Sequence, residues 1–404
     1  MVSPFIAFVL ITSVGIDFIK FFTALTYIGV ILVLFFANKE NSIKFPNYLK
    51  FYLLFVLYVY YSAFFQLEGK FKTIYLVDKL AGAFNILFII ENTSISKKYF
   101  DLLLRICKKV LVIAIGVIII QQLYDKNFFL RQDMLSKSSI SGTEDRLQSI
   151  YSWVGILSVG LGFIPVLLIV VERLERTNKK IIVWIIFGLL YALLTKGRWM
   201  MINALLIFVI LIVNKRDKFK HILKYIILIP LISITLYFTL NAVGINVKSI
   251  VEERVLEKGE GSDKNSASTR LLAITVFNKF YWKNAVFGVG DQKYGMGSSG
   301  RHNYELSKAL GGKSSQIHVG YLSLFYTYGV IGGTFFITFL ILIMRKLYKD
   351  AKQTTLWGPF LGILGLVFAN FTLVYFSMLE IGLVFSLLVN KYYIEQNQFK
   401  LANQ

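Results

Sequence analysis

Two stretches of this chain, Ile226 to Val243 and Val319 to Met344, contain no charged residue. Such runs are longer than a soluble core helix needs. A bilayer core of ~30 Å is crossed by about 20 apolar residues in helical conformation. Similar runs recur from end to end, and the chain is 56% hydrophobic with a mean hydropathy of +0.63. The 404 residues are therefore expected to form one all-α polytopic membrane bundle rather than several soluble domains. The opening MVSPF lacks a basic n-region and an A-x-A site, so it reads as an uncleaved first span.

The pattern predicts about 12 transmembrane helices, at 4–16, 20–37, 49–66, 72–90, 101–121, 149–171, 181–195, 199–213, 222–242, 318–344, 355–373 and 376–390. Lys and Arg favour cytoplasmic loops, an effect that acts through short loops. With the N-terminus inside, most short-loop basic residues fall on the inner side, including Lys44, Lys179, Lys180, Lys346 and Lys391. The short outer loops hold only Lys20, Lys70, Lys72, Lys196 and Arg198. Both termini are thus expected in the cytoplasm. One large external loop, 242–317, is expected between helices 9 and 10.

Three predicted hairpins are short for a bilayer. Ile181–Thr195 and Trp199–Val213 would each span about 22 Å at 1.5 Å per residue, and they meet at Lys196-Gly197-Arg198. The other two short tips lie at Asp17–Lys20 and between 373 and 376. All three fall on the outer side, which implies a depressed outer face roofed by the long loop. The alternative, a single tilted helix over 181–213, would move the basic cluster 215–224 outside against the charge rule.

Candidate chemistry lies where the long loop meets the helix ends. Arg198, below the membrane surface, either faces a partner or snorkels to the interface. Arg270 opens a segment in which Leu271, Ile274, Phe277 and Tyr281 recur at helical spacing. That segment reads as an interfacial helix with its apolar face toward the membrane. Arg270 at its start suits a phosphate, because a guanidinium fork and a helix N-terminus both favour one; otherwise it is an ordinary polar-face arginine. Gly288-Val289-Gly290 can place backbone close to a substrate, though not as a dinucleotide fingerprint, since no βαβ unit surrounds it, and Gly295 and Gly297 extend the glycine-rich turn. His318 begins the apolar run at 319. A neutral imidazole there suits proton removal from a hydroxyl; the plainer reading is a hydrogen-bonded interfacial histidine. His302, Arg301 and Arg146 are further candidates for substrate contact. Tyr281, Trp282, Tyr294 and Tyr304 are either interfacial anchors or sugar-stacking rings.

Several classes are excluded or disfavoured. The net charge of +21 is spread over many short loops, the pattern of topology signals and anionic-lipid contacts rather than of nucleic-acid binding. Cys107 is the only cysteine, so an intrachain disulfide and a thiolate metal site are ruled out. There is no D-x-D, H-E-x-x-H or G-x-S-x-G. Gly312-Lys313-Ser314 mimics a P-loop end, but Ser307 stands where the first glycine is required.

Five ordered stretches resemble the bacterial O-antigen polymerase and O-antigen ligase family. They are L-L-T-K-G-R at 193–198, S-T-R at 268–270, A-V-F-G-V-G at 285–290, S-Q-I-H-V-G-Y-L at 315–322 and T-Y-G-V-I-G-G at 327–333. The tip reads K-G-R where S-R is more usual in the family. The first half of the chain is similar only as generic spans.

The resemblance implies about twelve helices, a large periplasmic loop and a place in the bacterial inner membrane. It implies an undecaprenyl-pyrophosphate-linked oligosaccharide as substrate and no cofactor, metal or ATP. Carried onto this chain, it makes Arg198 and Arg270 the pyrophosphate ligands and His318 the base. Membrane lipids and a chain-length regulator are the expected partners. A polysaccharide polymerase is the first reading and an O-antigen ligase the second. A flippase is a third class, favoured only by Asp78 and Lys79 within a predicted span.

Overall fold

A computed structural model describes residues 43–66, 83–124, 266–290, 319–354, 357–371 and 376–402. It also describes shorter stretches at 28–29, 31–32, 182–188, 190, 231, 234–235, 237–242, 308–309 and 317. Among the described residues the chain is helical, without strands. Its long helices are α1 (Asn47–Gln66), α2 (Ala83–Asn92), α3 (Lys97–Leu123), α4 (Ser266–Tyr281), α5 (Gly320–Thr354), α6 (Trp357–Ala369) and α7 (Phe376–Ala402). A short 3-10 turn, Trp282–Asn284, follows α4. Predicted spans 4–16, 149–171 and 199–213 lie outside the described residues, as do parts of 20–37, 72–90, 181–195 and 222–242.

Among the described residues α5 alone is long and apolar enough to cross a bilayer, and Trp357–Phe368 is a shorter apolar helix. α5 packs along α1 through aromatic rings. Tyr52 stacks on Phe339 with centroids 4.3 Å apart, and Phe55 meets Phe336 at 4.9 Å and Tyr328 edge-on at 5.3 Å. In lipid, helices associate chiefly through close packing, which small residues permit. Gly332 illustrates this: a side-chain carbon on it would collide with Tyr58 of α1. At the α6–α7 contact, Gly382 likewise lies against Leu366. Phe100 of α3 stacks on Tyr392 of α7 at 3.9 Å. The described part of 181–195 joins the same core through Trp184 and Ile185, and Lys108 of α3 sits 5.5 Å over the Trp184 ring.

One end of this bundle is tied by charge. Glu91, at the end of α2, pairs with Lys346 of α5 and accepts a hydrogen bond from the Tyr48 hydroxyl of α1. Lys391 of α7 donates to the carbonyls of Ile90 and Glu91, the latter at 3.0 Å. Those are last-turn carbonyls of α2, which have no partner within their own helix. Asn390 donates to Asp350 at 2.6 Å, and Glu395 accepts from the backbone N–H of Ile95 at 3.1 Å. Glu91 lies just past the predicted span 72–90. Burial alone would push its carboxyl upward, but Lys346, the Tyr48 hydroxyl and Lys391 together hold it below the usual carboxylate range. Lys44, Lys346 and Lys391, which the charge pattern assigns to one side, all contribute to this end; Lys44 does so by exchanging backbone hydrogen bonds with the Asn92 side chain.

α7 continues well past the predicted boundary at 390, to Ala402. Its extra turns carry Lys391, Tyr392 and Glu395, each anchored in the network or ring stack just described, so the helix persists beyond the apolar run.

Candidate active site

α4 carries Arg270 in its first half and packs onto the start of α5. Ala273, Val276, Ile317 and Tyr326 form a small apolar cluster, with Phe277, Phe280, Val319 and Leu322 at its margin. Ile317 and Val319 flank His318 in the sequence, and Ala273 and Val276 lie on the helix that carries Arg270. The helix bearing Arg270 and the segment flanking His318 therefore form one packed unit. The buried stripe of α4 runs through Ala273, Val276 and Tyr281, while Ile274, on the face that the sequence turns toward the membrane, is 44% exposed. The small Ala273 lets α4 approach α5 closely.

Beyond α4 the chain runs into Ala285–Gly290, and here α5 is broken. Gly329 has φ 63° and ψ −169°, a conformation outside any helix and essentially restricted to glycine. In an unbroken helix the N–H groups of Val330 and Ile331 would donate to the carbonyls of Tyr326 and Thr327. Instead Val330 donates to Ala285 at 2.8 Å and Ile331 to Val286 at 3.3 Å. The freed carbonyls are taken up by the same segment: Val289 donates to Tyr326 at 3.0 Å and Gly290 to Thr327 at 2.7 Å. The segment lies antiparallel to the break and replaces two lost helical bonds with four.

The approach is close enough to demand glycine on both sides. A side-chain carbon at Gly288 would fall 2.3 Å from the Thr327 carbonyl oxygen, and one at Gly329 would fall 2.2 Å from the Val286 oxygen. Gly288 and Gly290 also have positive φ, 76° and 88°. The Tyr58 hydroxyl of α1 donates to the Phe287 carbonyl at 2.7 Å, joining the segment to the main bundle. The sequence expected a substrate beside this backbone; its close neighbour among the described residues is the protein's own helix.

The remaining sequence candidates divide as follows. Arg270 lies in α4, and Gly288 and Gly290 lie in the segment at the α5 break. Arg198, Arg146, Arg301, His302 and His318 fall outside the described residues, as do Gly295 and Gly297. Sequence reasoning missed Tyr58 and Gly329. The latter stood in the T-Y-G-V-I-G-G stretch, where a glycine inside an apolar run was the available signal.

No curated protein matches this chain. Residues 181–337 match the family model described as O-antigen ligase. The matched stretch includes the Trp184 helix, α4, the glycine segment and the broken first half of α5. The match covers less than half of the 404 residues, and over that stretch the chain is similar to the family whose motifs it carries in order.

Proposed function

We propose that this protein is a surface-polysaccharide polymerase with about twelve spans and its 242–317 loop outside the inner membrane. It would join oligosaccharide repeats carried on undecaprenyl pyrophosphate. The observation that supports a site at this position is the apolar cluster of Ala273, Val276, Ile317 and Tyr326, which packs the Arg270 helix against the residues flanking His318.

In this reading the acceptor hydroxyl of one lipid-linked repeat attacks the anomeric carbon of the growing glycan. The new glycosidic bond forms as the bond to the pyrophosphate oxygen breaks, and His318 takes the hydroxyl proton. Undecaprenyl pyrophosphate leaves with the bonding pair. Arg198 and Arg270 face the charge that grows on it, and in a water-poor site this stabilises the transition state more than the ground state. Arg146, Arg301 and His302 contribute contacts to the sugars or phosphates. Gly288 and Gly290 act through the shape of the loop. No metal takes part in this scheme. A regulator of chain length would act on the same assembly from outside the chain.

An O-antigen ligase, which passes the glycan to lipid A core, uses the same donor and is the second reading, favoured by the description of the matching family. Deleting the gene separates the two. A single repeat on the core identifies a polymerase. Bare core with lipid-linked polymer accumulating identifies a ligase. Bare core with single lipid-linked repeats retained inside points to a flippase and ends both readings. Arg198→Ala, Arg270→Ala and His318→Ala then test the site, because well-expressed variants that still make wild-type chain lengths would refute the assignments.

A further inference from the structure

We propose that Gly288, Gly329 and Tyr58 form a backbone clasp that fixes the α4–His318 unit over the bundle, and that they are positioning residues for the transfer reaction. The mechanical part stands on the geometry alone; its consequence for catalysis rests on the functional reading above.

Gly329 precedes Lys346 by seventeen residues, so at 1.5 Å per residue it lies roughly 25 Å from the charged end of the bundle. That is within a ~30 Å apolar core. Broken backbone at such depth persists only where protein satisfies the freed groups. Here the four groups released by the break are matched by four groups of residues 285–290. The break and the segment are therefore mutually required.

The piece of α5 before the break faces two ways. Tyr326 belongs to the small cluster with Ala273, Val276 and Ile317. Leu324, Tyr321 and Tyr328 of the same piece pack with the main core, as do Phe336, Phe339 and Ile343 after the break. The α4 cluster and the main core meet along this piece, and the clasp closes on its end at Gly329. Tyr58 holds it from the bundle side, with its ring against Gly332 and its hydroxyl on the Phe287 carbonyl. A joint held in this way fixes where Arg270 and His318 lie relative to a lipid tail among the helices. Misplacing reacting groups by about 1 Å costs on the order of 10²-fold in rate.

The test uses the full chain in lipid nanodiscs. Cys107 is buried, so spin labels report from introduced cysteines at Asn278 on α4 and Lys98 on α3, both exposed. Pulsed dipolar spectroscopy should give one narrow distance distribution for the parent protein. Gly288→Ala or Gly329→Ala should broaden or shift it, because neither backbone can accept a side-chain carbon. Tyr58→Phe, which removes only the hydroxyl, should broaden it less and decides the matter should the glycine variants fail to fold. A distribution as narrow and as centred as the parent's in Tyr58→Phe and in any folded glycine variant would overturn the clasp.

Transfer is then assayed with the cell's own lipid-linked saccharide. The folded glycine variants should lose about 10²-fold in kcat with KM within about twofold of the parent. Parental kcat per folded molecule would overturn the positioning role. A parent protein inactive on that donor would sink the functional reading, while the distance measurement would still decide the clasp.

Discussion

The two ends of the bundle are held by opposite means. At one end Glu91, Lys346, Lys391 and Tyr48 bind four helices through charged and polar side chains. At the other, α4 and its following segment are joined to α5 and α1 by backbone groups and one phenol. Charged side chains fix helix ends at a wet boundary, but an ion pair loses much of its net gain where water is excluded. Backbone groups must be paired wherever they lie. The joint at Gly329 is made from such groups rather than from charged side chains. On this comparison, substitutions at the candidate site should change rate without changing stability, and substitutions at the charged end should do the reverse.

The largest expected effect tests the first half of that contrast. His318→Ala should lower transfer by about 10²–10⁴-fold, the range for loss of a general base. Arg270→Ala and Arg198→Ala should each reduce it strongly with the thermal midpoint in detergent little changed. A fall in midpoint that tracks the loss of activity would erase the distinction between the ends. Next, Glu91→Ala removes the acceptor shared by Lys346 and Tyr48. A loss of about 2–3 kcal/mol is expected, read as a lower thermal midpoint, with transfer per folded molecule unchanged. A smaller effect concerns acidity. Because folding holds the Glu91 carboxyl below its ordinary range, the unfolded chain takes up that proton more readily. Its stabilisation is present above the unfolded carboxylate pKa and is lost as pH falls through the folded one. The midpoint should therefore drop on acidification, and Glu91→Gln should flatten the dependence. Smallest is Lys108→Ala, which removes the contact over Trp184 and should cost roughly 0.5–1 kcal/mol, with no change in activity.

The sequence exposed the parts of this molecule that side chains encode. The apolar runs at 49–66, 101–121 and 318–344 correspond to α1, α3 and α5, since length and apolarity are local properties. The ordered motifs led to the family match over 181–337, because K-G-R, S-T-R and Q-I-H-V-G are recognisable from side-chain type and order alone. What stayed hidden is the joint. The run 318–344 reads as one rod, since the partner that replaces its broken bonds lies some forty residues earlier. That partner contributes carbonyls and N–H groups, which every residue has. Glycine was the sole trace, and Gly288 suggested a close approach without naming Gly329 as its target. Which residues of α4 meet α5 was hidden for a related reason: several faces of the helix are apolar, and only the contact selects one.

Among the described residues, the joint between 285–290 and α5 is made of backbone groups and the Tyr58 hydroxyl, with no ion pair. Its geometry should accordingly be indifferent to ionic strength and to mild acid or base. On the orientation proposed above it faces a compartment whose salinity and acidity follow the surroundings rather than cellular buffering. A fastening made from peptide groups would keep its alignment through changes that loosen ionic contacts.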